Sequence, residues 1–195
     1  MSGYWSSEQD FREHINNNPD ILIGTLGPKG TSCDHTLNYL LGDDDNDLDR
    51  RRVLIDNFPD IYSSLINAEI DIAMIPAAYS HATEFFWSAD FKLLGSVIHK
   101  TPDYHFTHAK GVTQPKKIAT CLAVEHMLKK QFAHCMSEPY EVVIGASTLA
   151  AANAVATGEA DACITNDGGL KEVNLDVIHT LQGVDMSWLF FRKKS

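Results

Sequence analysis

Short aliphatic runs recur along this chain, and several of them break into small or hydroxylic residues placed to open a helix. The first is Ile21-Leu22-Ile23-Gly24-Thr25-Leu26, followed by Gly27-Pro28-Lys29-Gly30 and then Thr31-Ser32. A run this short, closed by Gly and Pro, predicts a buried strand ending in a turn. Thr31 or Ser32 then caps a helix running to Leu41. The rhythm continues with a strand at Arg52–Ile55, a helix over Ile61–Ala68 and a strand over Ile70–Ile75 that stops at Pro76. Strands alternating with helices in this way predict parallel βαβ units and an α/β fold. From Phe91 to His108 the pattern is β-rich, with Leu93–Ile98 the clearest strand. Alternation then resumes: strand Lys117–Thr120, helix Ala123–Phe132, strand Glu141–Ile144, an Ala-rich helix Thr148–Thr157 closed by Gly158, and strand Ala160–Thr165. Val177–Leu181 and Ser187–Phe191 read as the last strands. Two α/β lobes fit this series better than one continuous sheet. Residues 21–80 with 165–195 are expected to form the first lobe and 81–164 the second, with the polar residues 1–20 an arm or short helix outside the core.

Charge narrows the partners. The chain holds 16 Lys+Arg against 26 Asp+Glu, a net charge of −10, with no basic patch interleaved with aromatics. Such a surface repels phosphate backbones, so no nucleic acid is expected. No apolar run approaches the roughly 20 residues of a membrane span, and the start has no signal-like stretch, so a cytoplasmic protein is expected with no membrane partner. Cys33, Cys121, Cys135 and Cys163 are widely spaced and read as reduced thiols.

Several motifs fail on spacing. Gly24-x-x-Gly27-x-x-Gly30 is not the dinucleotide fingerprint, and Lys29 does not stand in a phosphate loop. The aspartates from Asp43 to Asp49 resemble the start of a calcium loop, but Leu48 and Leu54 occupy the positions that need Gly and Glu. That segment reads as a solvated loop within Gly42–Arg52. Cys33-x-His35 and His134-Cys135 make no metal set by spacing. No metal is expected.

What remains is a set of strand ends that meet helix starts: Gly30-Thr31-Ser32, Thr120-Cys121 and Ala146-Ser147-Thr148. Helix N-termini present unpaired N–H groups and partial positive charge, so several of them can hold an anion without lysines. In open α/β sheets the ligand crevice lies at the carboxyl ends of the strands, where these turns fall. Each hydroxyl taken alone reads as a plain helix cap. Three such turns on both lobes point to a small carboxylate ligand.

Thr25-Leu26-Gly27-Pro28-Lys29-Gly30-Thr31-Ser32 resembles the opening motif of the prephenate dehydratase domain. Ile75-Pro76-Ala77-Ala78-Tyr79-Ser80 is similar to that family's crossover after the third strand, and Ser147-Thr148-Leu149-Ala150-Ala151-Ala152 to its Ser-Thr helix start. The bacilysin-pathway prephenate decarboxylases are more similar still, through Asp90-Phe91-Lys92-Leu93-Leu94 and the ending Asp185-Met186-Ser187-Trp188-Leu189-Phe190. The resemblance covers residues 21–191. It implies a two-lobed fold like the type II periplasmic binding proteins, with a ligand crevice between the lobes, and no ACT regulatory domain.

Dehydratases carry a Thr-Arg-Phe near the end whose threonine helps hydroxide leave, and here Met186, Ser187 and Trp188 stand at those positions. The resemblance therefore implies decarboxylation of prephenate, or a close analogue, without aromatisation. The product would be dihydro-4-hydroxyphenylpyruvate, the precursor of the anticapsin moiety in antibiotic biosynthesis. No cofactor is needed, because the ring accepts the electrons. Thr31, Tyr79 and Ser187 are the expected catalytic residues, with Cys121, His81 and His105 further candidate proton donors. Gly30, Ser32, Ser80, Thr120, Ser147, Thr148, Asn166, Met186 and Trp188 are the expected substrate contacts. Departures from the relatives fall at Cys121, at His105 in place of a glycine, and at Ser80 in place of an aspartate. The expected partners are a small dicarboxylate substrate and, at most, a second copy in a homodimer. The rival readings are an ordinary prephenate dehydratase and a non-catalytic carboxylate-binding protein.

Overall fold

The predicted strands and helices form in the predicted order. In chain order they are α1 (Glu8–Asn17), β1 (Ile23–Leu26), α2 (Ser32–Leu41), β2 (Arg52–Ile55), α3 (Phe58–Ile66), β3 (Ile72–Pro76), α4 (Ala82–Trp87) and β4 (Phe91–Lys100). There follow β5 (Tyr104–His108), β6 (Lys117–Cys121), α5 (His126–Lys130), β7 (Glu141–Gly145), α6 (Thr148–Ala156), β8 (Ala162–Asn166), α7 (Asp167–Glu172), β9 (Asp176–Leu181) and β10 (Asp185–Lys193). The computed structural model describes residues 4–42 and 50–194. The aspartate-rich loop from Asp43 to Asp49 lies outside the described residues.

The first unit runs to Thr101 and takes up the chain again from Asp185. Its sheet has the order β2-β1-β3-β10-β4. β1 is parallel to β2 and β3, whereas β10 runs antiparallel between β3 and β4. Strand alternation divides its core between two faces. Met74, Trp188 and Phe190 pack under α1 and α2 with Phe11, Leu37 and Leu40. Ala73, Ile75, Leu189 and Phe191 pack under α3 and α4 with Ile61, Leu65 and Phe85.

The second unit, Pro102–Val184, carries a sheet of order β7-β6-β8-β5-β9. β6 is parallel to β7 and β8, and β5 is antiparallel to β8 and β9. Phe106, Ile118 and Ile164 pack with Leu128 and Phe132 in one cluster, while Ala119 and Cys163 pack on the alanines of α6 in another. The expected helix Ala123–Phe132 shrinks to α5, with a short 3₁₀ turn at Ala133–Cys135.

Two expectations need correction. The lobe boundaries fall at Thr101 and Val184 in place of 80 and 164. The cause is pairing: β4 is bonded to β10 from Lys100 opposite Asp185 to Phe91 opposite Lys193, while β8 and β9 both border β5. The N-terminal segment is also part of the core. Ser7 caps α1 in a reciprocal box with Asp10, and Phe11 and Ile15, four residues apart on one helix face, are buried. Trp5 bonds along β4 at Leu94 and Ser96, so close that a β-carbon on Gly95 would sit 2.2 Å from the Trp5 carbonyl oxygen. Polar composition hid this segment because only one of its faces is apolar. Among the described residues no helix is long and apolar enough to cross a membrane.

Candidate active site

In the first unit, the strand ends collect most of the expected residues on one edge. Gly24 is level with Ala73, and Pro76, at the end of β3, faces Trp188. The Ala77 N–H donates to the Ser187 carbonyl at 2.9 Å and ties the crossover to the start of β10. Gly27–Ser32, Tyr79, Ser80 and Ser187 therefore share the carboxyl edge of the parallel strands. The turn needs Gly30, whose φ of +89° lies in the left-handed region that L side chains avoid.

Much of the polar capacity at this turn serves the fold. Thr31 caps α2: its hydroxyl accepts from the Asp34 N–H at 3.2 Å and donates to the Leu26 carbonyl at 2.8 Å. Asp34 accepts from the Gly30 N–H at 2.8 Å and from the Arg52 guanidinium at 2.8 Å, with both side chains 6% exposed. Arg52 also bonds Asn38. A carboxylate of the chain itself thus occupies part of the helix start expected to bind substrate.

Tyr79 stacks on Phe58, with ring centroids 4.0 Å apart, and burial followed by the nearby Glu84 charge raises its phenol above the usual range. Ser80 is exposed, and exposed His81 is paired with Glu84 at 2.8 Å. Trp188 is a core aromatic, 1% exposed, whose indole N–H donates to the His99 carbonyl at 3.1 Å. The alternation of β10 turns its ring into the α1/α2 core, which corrects its expected place against substrate. Met186 packs partly buried on that same core.

The second unit gathers its candidates in the same way. Thr120 lies opposite Ile144 and Cys121 opposite Gly145, while Tyr104 faces Asn166 and His105 faces Thr165. Ser147 caps α6 by accepting from the Ala150 N–H at 3.1 Å, and Asn166 caps α7 by accepting from Gly169 at 3.1 Å. The Thr148 carbonyl accepts from the Thr165 hydroxyl at 3.0 Å. Thr120 differs: its hydroxyl is buried without a hydrogen-bond partner among the described residues. A hydroxyl left so is costly unless a ligand or water meets it. Cys121 is 8% exposed, and burial pushes its thiol up, so it stays protonated and is no nucleophile.

His105 has two partners. One ring nitrogen lies 2.9 Å from the Thr180 hydroxyl and the other 3.0 Å from the Asp167 carboxylate, which also accepts from the Asp103 N–H at 3.2 Å. Asp167, Thr180 and Asp103 were not among the residues expected from sequence. Asp167 follows Asn166 at a strand-to-helix turn, which is the one local signal; its pairing with His105 spans 62 positions. No group of three or more metal-ligating side chains comes together among the described residues.

No protein-family model matches the chain. A prephenate decarboxylase of Planktothrix agardhii is 33% identical over 188 residues, which cover 90% of this chain and 91% of that protein. Among solved structures, the prephenate dehydratase of Arthrobacter aurescens in complex with L-Phe matches 90% of this chain with a TM-score of 0.61 and 16% identity. The chain spans 61% of that dehydratase's length. A putative methionine-binding lipoprotein of Bacillus subtilis matches 92% of this chain and 85% of its own, with a TM-score of 0.56 and 12% identity. These likenesses establish the α/β fold of prephenate dehydratase and periplasmic-binding domains, as the sequence resemblance implied. The identity of 33% to the Planktothrix enzyme, over nine-tenths of both chains, shows more: this chain belongs to the prephenate decarboxylase family.

Proposed function

We propose that the chain decarboxylates prephenate without aromatising it, giving dihydro-4-hydroxyphenylpyruvate. Kinship along 188 residues to a protein named for prephenate decarboxylation is the observation that carries this reading. In the reaction the bond from the ring carbon to its carboxylate breaks and carbon dioxide leaves. The bonding pair shifts the ring double bonds, a ring carbon takes up one proton, and the hydroxyl stays. The ring accepts the electrons, so no cofactor has to.

Prephenate carries two carboxylates, and each unit offers donors of the kind one carboxylate needs. In the first they are the hydroxyls of Ser32 and Ser80, beside the turn that Gly30 and Thr31 shape with their own N–H and hydroxyl bonded within the chain; in the second, Thr120, Ser147, Thr148 and Asn166. Donors aimed where charge moves lower the barrier most when water is excluded. We assign the proton to Tyr79, whose phenol stands at the crossover after β3, stacked on Phe58. Ser187 orients the ring hydroxyl beside the crossover. Met186, at the position of the dehydratase threonine, has no hydroxyl to help water depart, so the ring stays non-aromatic. We extend the reading to a cytoplasmic step in specialised-metabolite synthesis of the bacilysin type, since the product is not the precursor of phenylalanine.

Incubation of the chain with prephenate, followed by mass and ultraviolet spectra, tests the reading. Loss of carbon dioxide with the hydroxyl retained supports it; phenylpyruvate would point to a dehydratase, and absence of turnover to a binding protein.

A further inference from the structure

At the start of α2 the groups expected to meet a carboxylate are bonded within the chain. The Gly30 N–H donates to Asp34, the Thr31 hydroxyl to the Leu26 carbonyl, and Arg52 is paired with Asp34. A dianionic substrate needs other donors in this unit, and two imidazoles stand beside the turn. His35 is one turn into α2, its N–H donating to the Thr31 carbonyl at 2.9 Å. His99 lies on β4 opposite Met186 of β10, at the same carboxyl edge. Directly opposed residues of an antiparallel pair share a face of the sheet, so His99 stands on the α1/α2 side. Its ring stacks on Tyr39 with centroids 3.9 Å apart, and the His35 ring lies 6.1 Å from it, inclined by 29°.

Both rings can be reached, since His35 is exposed and His99 only partly buried. Neither ring makes a hydrogen bond among the described residues, so both keep N–H donors for a ligand. The acids around them are already answered. From α1, Glu8 is paired with Arg12 at 2.7 Å and accepts from the Tyr39 hydroxyl at 2.9 Å. On α2, Asp34, next to His35 in sequence, is buried against Arg52. Across β10, Met186 is uncharged, and Asp185 faces Lys100. Burial and then the His35 charge lower the His99 pKa, while Glu8 raises it. An anion held by both rings offsets their mutual repulsion, so its binding draws protons onto them.

We propose that His35 and His99 together take one carboxylate of the substrate in the first unit. This rests on the reading of the chain as an enzyme acting on prephenate, a dicarboxylate. Binding tightens as the pH falls, because an imidazole donates a charge-assisted bond only when protonated. A lysine would hold the anion equally at about pH 6 and about pH 8. The pair binds and does not supply the proton, so it sets KM more than kcat.

Homophthalate, with one carboxylate on its ring and one on a side chain, tests the pair by NMR without turnover. It is added to the ¹³C,¹⁵N-labelled full chain up to about 20 mM, the weak range expected of so small a ligand. The pKa values of His35 and His99, read from their ring Cε1–H signals, should both rise as it saturates. His35→Gln/His99→Gln should bind it about tenfold more weakly than the unaltered chain at about pH 6, and equally at about pH 8, as loss of two part-exposed charge contacts requires. If the double variant loses its dispersed spectrum, His35→Gln alone should weaken binding about threefold at about pH 6. Absence of saturation, unmoved His35 and His99 titrations, or undiminished binding to the variant at about pH 6 would each overturn the proposal. A prephenate assay on the same sample separates the two readings. Carbon dioxide release with unmoved histidines overturns the pair and leaves the reaction standing, whereas moved histidines without turnover support the pair and overturn the reaction.

Discussion

The His105 imidazole is bracketed by the Thr180 hydroxyl at 2.9 Å and the Asp167 carboxylate at 3.0 Å, so both ring nitrogens are committed. A ring held this way positions Asp167 at the edge of the second sheet and has no nitrogen left to protonate substrate. His105→Gln should therefore lower kcat only modestly, by about tenfold, the scale of a supporting contact to a site residue. Steady-state kinetics decide the matter. A loss of the ~10²–10⁴-fold typical of a removed general acid would make His105 the proton donor instead of Tyr79.

Thr31 and Ser147 each cap a helix at a proposed carboxylate site. Replacing either with Ala should cost about 1 kcal/mol of stability, read from denaturant unfolding. The Thr31→Ala/Ser147→Ala double variant should also raise KM, because the helix starts that meet the substrate lose their order. An unchanged KM in a folded double variant would refute their part in binding.

The buried Arg52–Asp34 pair, at 2.8 Å, fastens the Gly30 turn to β2. Arg52→Met strands the Asp34 charge in a desolvated place, and a loss of about 3–5 kcal/mol is expected in urea unfolding. Adding Asp34→Asn should restore a large part of it. Equal instability of the single and double variants would show that packing, not charge, sets the cost.

Two histidines of the first unit should make stability fall on mild acidification. Burial, with Arg192 nearby, lowers the pKa of His14, and burial, with His35 nearby, lowers that of His99. With both pKa values below the ordinary histidine value of about 6.5, the unfolded chain binds more protons in that region. Their stabilising effect is full above about pH 6.5 and is lost as pH drops through the two lowered values. Thermal melting should thus be lower at about pH 5.5 than at about pH 7.5, and His14→Gln/His99→Gln should narrow the gap. A gap of the same width in the double variant would assign the effect to other groups.

Local patterns made the parallel core legible. Ile21–Leu26, Arg52–Ile55 and Lys117–Thr120 are short aliphatic runs with turns behind them, and each formed a strand within two residues of its expected ends. Strand partnership was not legible, since nothing local to β4 says that it will pair with β10 across 85 or more positions. The lobe boundaries moved for that reason. Trp5, Phe11 and Ile15 were hidden by polar neighbours that occupy the exposed face of the same short segment. At the site, the capping hydroxyls of Thr31, Ser147 and Asn166 could be read from strand-to-helix turns. Asp167 and Thr180 could not, because their meeting with His105 is a property of sheet register. Trp188 was misplaced because alternation gives two faces to β10 and the sequence does not say which one meets the ligand.

In the proposed reaction prephenate loses its ring carboxylate and keeps its hydroxyl. The most direct measurement is a mass balance on a single incubation of the purified chain with prephenate, recording carbon dioxide, product mass and ultraviolet spectrum together. One carbon dioxide per prephenate consumed is expected, with a product lighter by carbon dioxide alone and no aromatic spectrum. A product that has also lost water, with the spectrum of phenylpyruvate, would contradict it.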